Sequence, residues 1–84
     1  SGDGGQRLTG ELIDFGIDEA QQSAIVTYDA MLMTPSGVAL ARQRFTASAP
    51  VGGKINATSV GAPLNAAANQ VATDVAAWVA AMKD

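Results

Sequence analysis

The chain has 84 residues, 48% of them hydrophobic but only 5% aromatic, with five basic and eight acidic side chains for a formal net charge of −3. That length allows one small domain, and the lack of any cysteine or histidine removes disulfides, thiol nucleophiles, imidazole bases and the usual zinc ligands together. An acidic balance with scattered cations lacks the electrostatic footprint of a nucleic-acid binder, and no apolar run reaches the ~18 residues of a transmembrane helix.

Residues 1–6 are Gly-rich and polar and read as a flexible lead-in. Residues 7–84 form a single α+β domain, or the C-terminal half of one. No Lys-Ser/Thr pair follows the glycines, so they are not a phosphate loop. Arg7 to Ile17 alternates as a strand, but its apolar phase changes partway. Leu8, Gly10 and Leu12 share one row, while Ile13, Phe15 and Ile17 share the other, and a bulge near Leu12 and Ile13 reconciles them. Asp18 begins a turn over residues 18–22.

Ser23 to Met33 is a second strand. One face carries Ala24, Val26, Tyr28, Ala30 and Leu32, and the other Ile25, Thr27, Asp29, Met31 and Met33. Thr34-Pro35-Ser36-Gly37 is a hairpin turn, because Pro presets the backbone at the second position and Gly accepts a left-handed one at the fourth. Val38 to Ala49 is the third strand, with the Phe45 and Ala47 row inward and Arg42, Arg44, Thr46 and Ser48 outward. Pro50 ends it, since proline cannot donate to a ladder. Residues 51–59 read as a mobile crossing loop, with Thr58 or Ser59 as helix cap and Pro63 in the helix's first turn.

From Pro63 to Met82, Leu64, Ala67, Ala68, Val71, Val75, Trp78, Val79 and Met82 recur at helical offsets as one apolar stripe. Alanine, the best helix former, fills most other positions. The expectation is a three-stranded antiparallel meander with one long C-terminal helix on the face carrying Phe15, Phe45 and one row of the second strand. Trp78 reads as the bulkiest piece of that core. One helix covers only part of a sheet, and open strand edges invite self-association. A core this rich in alanine argues for close helix–sheet contact rather than a cavity.

Reactive constellations are scarce. Glu11, Asp14, Asp18 and Glu19 lack the spacing of a calcium loop, and Ser36 and Ser48 have no histidine to activate them. The expectation is a chain with no catalytic, metal or cofactor residues. Arg42 and Arg44, two residues apart on one strand face, are the candidate partner-binding pair, for an acidic protein surface or a lipid head group.

The segments L-T-G-E-L-I-D-F, R-F-T-A-S-A-P and A-P-L-N-A-A-A-N-Q-V-A-T-D-V-A-A-W-V stand in an order that resembles the C-terminal half of the ABC-type transport auxiliary lipoprotein family. The positions are Leu8, Gly10, Leu12 and Phe15, then Phe45 and Pro50, then Leu64, Ala67, Ala68, Asn69, Val75, Trp78 and Val79. The resemblance implies a non-catalytic periplasmic component, membrane-anchored by lipidation. Its implied partners are ABC transporter subunits and a substrate-binding protein of the mammalian-cell-entry (MCE) type, working in lipid or apolar-substrate transport across a Gram-negative envelope. Neither a lipobox cysteine nor the family's preceding strand-and-helix half stands in these 84 residues. The alternative is a small adaptor or inhibitor module that binds a protein through a strand edge.

Overall fold

The computed structural model describes residues 6–82. Apart from Gln6, the proposed lead-in lies outside the described residues. The elements are β1 (Arg7–Asp18), β2 (Ser23–Met33), β3 (Ala39–Pro50) and α1 (Ala57–Met82). The sheet is antiparallel in the order β1-β2-β3, and α1 packs on one of its faces, which makes the fold α+β. A 26-residue helix spans about 39 Å and a 12-residue strand about 40 Å, so the two match in length. The molecule is a rod of 49 × 18 × 17 Å.

The phase change in the first strand has a structural cause. The β1–β2 register runs Leu8↔Leu32 and Leu12↔Tyr28, skips Ile13, and resumes with Asp14↔Thr27, Phe15↔Val26 and Ile17↔Ala24. One extra residue inverts the alternation, so Leu8, Leu12, Phe15 and Ile17 all stand on the face shared with Val26 and Tyr28. Gly10 lies on the same face, where an added Cβ would collide with the Tyr28 ring. The missing side chain lets that ring lie across β1.

The β2–β3 hairpin closes where proline and glycine indicated. The Gly37 amide donates to the Thr34 carbonyl (2.9 Å) and the Val38 amide to Thr34 Oγ1 (3.0 Å), and Gly37 takes a φ of 98°. Beyond it, Leu32 pairs with Ala41 and Met33 with Ala39, leaving Leu40 as an extra residue in β3. At the other end of the sheet the Gln21 amide donates to Asp18 Oδ1 (3.2 Å), so Asp18 does begin the turn.

The core is built from Val26, Ala30, Phe45, Ala47, Ala67 and Val71, with Tyr28, Ala68, Val75 and Trp78 packed around it. Phe45 and Trp78 meet edge to face, with centroids 5.6 Å apart and planes at 66°. That arrangement sets the electropositive ring edge of one against the π face of the other. The indole therefore belongs to the sheet–helix contact.

Five details differ from the sequence expectation. The helix begins at Ala57, with Asn56 as its cap in place of Thr58 or Ser59: Asn56 Oδ1 accepts from the amides of Thr58 and Ser59 (2.9 Å each), and Ser59 Oγ accepts from the Asn56 amide (2.9 Å). This reciprocal pair satisfies the orphan donors of the first turn. Pro63 consequently lies inside the helix, beyond its first turn, where it leaves a backbone carbonyl without its usual donor. Pro50 is the last paired residue of β3, opposite Ser23; the strand lies at the sheet edge, where the absent N–H costs no ladder bond.

Residues 51–59 are also better tied than a mobile loop. Val51 is buried and its amide donates to the Gln22 carbonyl (2.9 Å), while Gln22 Nε2 donates to the carbonyls of Val51 (3.0 Å) and Gly53 (2.6 Å). Gln22 achieves this from a left-handed backbone (φ 51°). Lastly, the helix lies over β2 and β3 and barely reaches β1. Phe15, expected beneath it, is 54% exposed.

Candidate functional site

Two surfaces follow from that offset helix. The first is a groove of about 700 Å³ running between β1 and the near flank of α1. Leu8, Leu12 and Phe15 form its outer wall, Val26 and Tyr28 its floor, and Ala72, Ala76 and Val79 part of the helix side. Every lining side chain is apolar except for the Tyr28 hydroxyl. The alanine content had argued for close contact, and between α1 and β2–β3 the contact is close. Over β1 there is simply no helix, and one α-helix, ~10 Å across, cannot cover three strands.

The second surface is the opposite, polar face of the sheet. Its register sets Glu11, Asp29 and Arg44 in one row across the strands, with Thr9, Met31 and Arg42 in the next. Arg44 grips Asp29 in a two-point pair, Nε to Oδ1 at 2.6 Å and Nη2 to Oδ2 at 2.9 Å. These hydrogen bonds hold the Asp29 carboxylate below its ordinary pKa of 3.8, with smaller help from the charges of Arg44 and Arg42, and they hold the Arg44 guanidinium above its ordinary range. The pairing also offsets the repulsion between Glu11 and Asp29, which stand directly opposite each other. In the neighbouring row Thr27 and Thr46 share a hydroxyl–hydroxyl bond of 3.2 Å, which satisfies the buried Thr27.

The two candidate arginines are thus unequal. Arg44 is neutralised by Asp29. Arg42 has no salt-bridge partner among the described residues and borders a shallow depression of about 190 Å³ with Thr9, Glu11 and Met31. Because the folded-state pKa of Asp29 is depressed, its contribution to stability is complete above the unfolded carboxylate value and is lost as pH falls through the folded one. The Tm difference between the wild type and Asp29→Asn is therefore expected to be constant and small down to about pH 4 and to vanish below it, as followed by circular dichroism. A difference that does not shrink at all on acidification below about pH 4 would count against a pair that acts through its charge.

Among the described residues no group of three or more His, Cys, Asp or Glu side chains is placed to hold a metal ion, and no helix is long and apolar enough to cross a membrane. The fold and its two faces define an α+β domain with one half-covered apolar face and one charged face. Compared with family models, curated proteins and solved structures, the chain matches none.

Proposed function

We propose that the protein is a non-catalytic auxiliary component of a Gram-negative ABC-type transport system, acting in the periplasm with an MCE-type substrate-binding protein in the movement of lipids or other apolar molecules. The observation that carries this reading is where its sequence resemblance falls in space. Gly10 lies beneath the Tyr28 ring, Leu8, Leu12 and Phe15 wall the groove, and Phe45 meets Trp78. Residues scattered over the chain thus build one sheet–helix face, the arrangement expected when a motif encodes a scaffold rather than a reaction.

On this reading the polar face docks the substrate-binding component, and Arg42 is the candidate arginine without a salt-bridge partner among the described residues. Arg42→Glu is expected to abolish retention of the purified MCE-type protein in a pull-down at low salt, with the circular dichroism spectrum unchanged. Arg44→Glu is a poorer probe, since it would set a third carboxylate beside Asp29 and Glu11. If the wild type fails to retain the MCE-type protein under any salt condition, the transport reading is lost; if Arg42→Glu retains it as well as the wild type, only the docking assignment is.

The free outer edge of β1, twelve residues long, favours a second reading as an adaptor that adds a partner's strand to the sheet. Protection of the Leu8–Leu12 amides from hydrogen exchange on adding a partner, with Arg42→Glu still binding, would select it.

A further inference from the structure

We infer that the groove over β1 is a self-association surface, and that its occupant is the β1 strand of a second copy of this chain. This goes beyond the transport reading and does not depend on it.

The first argument is exposure. Leu8, Leu12 and Phe15, which wall the groove, are 44%, 55% and 54% exposed, and three large apolar side chains in a row on one strand form a contiguous patch of the kind that marks an interaction surface.

The second argument is shape. In cross-section the molecule is a step, with bare sheet at β1 and sheet plus helix over β2 and β3. The step is one helix high, about 10 Å, and two sheets stack face to face at the same ~10 Å. Under a two-fold axis running along β1 the profile is therefore complementary to itself. The β1 of one copy sits at the level of its partner's helix, and each α1 flanks the other copy's β1. Such a contact is isologous and closes at two subunits. Leu12, midway along the wall and 55% exposed, would face its own counterpart, with Leu8 and Phe15 on either side.

The third argument is charge. No charged side chain lines the groove. Glu11 and Asp29 stand on the opposite face of the sheet, so two chains of net charge −3 meet without burying an acid.

Sedimentation equilibrium over a concentration series tests this. A monomer–dimer equilibrium is expected for the wild type, with Phe15→Asp weakening it by roughly thirtyfold or more. Leu40→Lys, at an exposed leucine outside the groove, should leave it unchanged. Because the chain has no cysteine, Leu12→Cys offers a single thiol, which should form a disulfide-linked dimer on mild oxidation. Phe45–Trp78 lies away from the sites of substitution, so an unaltered tryptophan emission spectrum certifies the fold of each variant. The inference is overturned by a wild type that stays monomeric at submillimolar concentration, by a dimer that withstands Phe15→Asp, or by native mass spectra showing a monomer with an apolar small molecule retained.

Discussion

Trp78→Ala is expected to destabilise the protein by about 3 kcal/mol, which removes the largest side chain of the sheet–helix contact and leaves a cavity that alanine neighbours cannot fill. The size of the effect follows from the composition of the core. Val26, Ala30, Ala47, Ala67 and Val71 are small, so Phe45 and Trp78 supply a large share of the area that joins helix to sheet. A domain of this length has a total stability on the order of 4–12 kcal/mol. Losing 3 of that lowers the Tm by more than about 10 °C. Thermal unfolding followed at a helix-sensitive wavelength measures it directly. An unchanged Tm would mean that the helix is held by something other than the aromatic pair.

Gly10→Val should cost about 2 kcal/mol, against the ordinary preference of strands for valine over glycine. An ideal Cβ at Gly10 would overlap the Tyr28 ring and come within 2.7 Å of the Asp29 carbonyl oxygen. Either the ring is expelled from the groove floor or β1 shifts on β2. The diagnostic measurement is a double-variant cycle: in a Tyr28→Ala background the valine penalty should shrink, with a coupling of about 1 kcal/mol or more. Additive penalties would assign the cost to the backbone contact and not to the ring.

Much of this architecture was legible before any coordinates, and for local reasons. Pro35 and Gly37 mark a hairpin because they restrict or widen backbone angles within four residues. The stripe from Leu64 to Trp78 marks a helix because its period is a property of the chain itself. Even the bulge was visible, since the apolar row of β1 changes phase at Leu12 and Ile13 and no regular strand can do so. The misplaced helix start has an equally local origin. Pro63 favours a first turn, but Asn56 and Ser59 cap each other earlier.

What stayed hidden required two distant parts of the chain. Gln22 is an ordinary turn residue until Val51 and Gly53 lie beside it. Arg42 and Arg44 look equivalent on their strand, and only the β2–β3 register gives one of them a carboxylate. Phe15 read as core because its row is apolar. Whether it is covered depends on which strands the helix lies over, and a helix's lateral position leaves no mark in its own periodicity.

The order of residue types along this chain was therefore sufficient for three strands, their turns, the bulge and the existence of the helix, because each is dictated by backbone angles and repeats only a few residues long. Tertiary structure alone decided that α1 covers two strands and leaves the third bare, and that Asp29 pairs with Arg44 while Arg42 has no salt-bridge partner among the described residues. Both are outcomes of packing between segments far apart in sequence, where register and helix width, not local preference, determine which side chains meet.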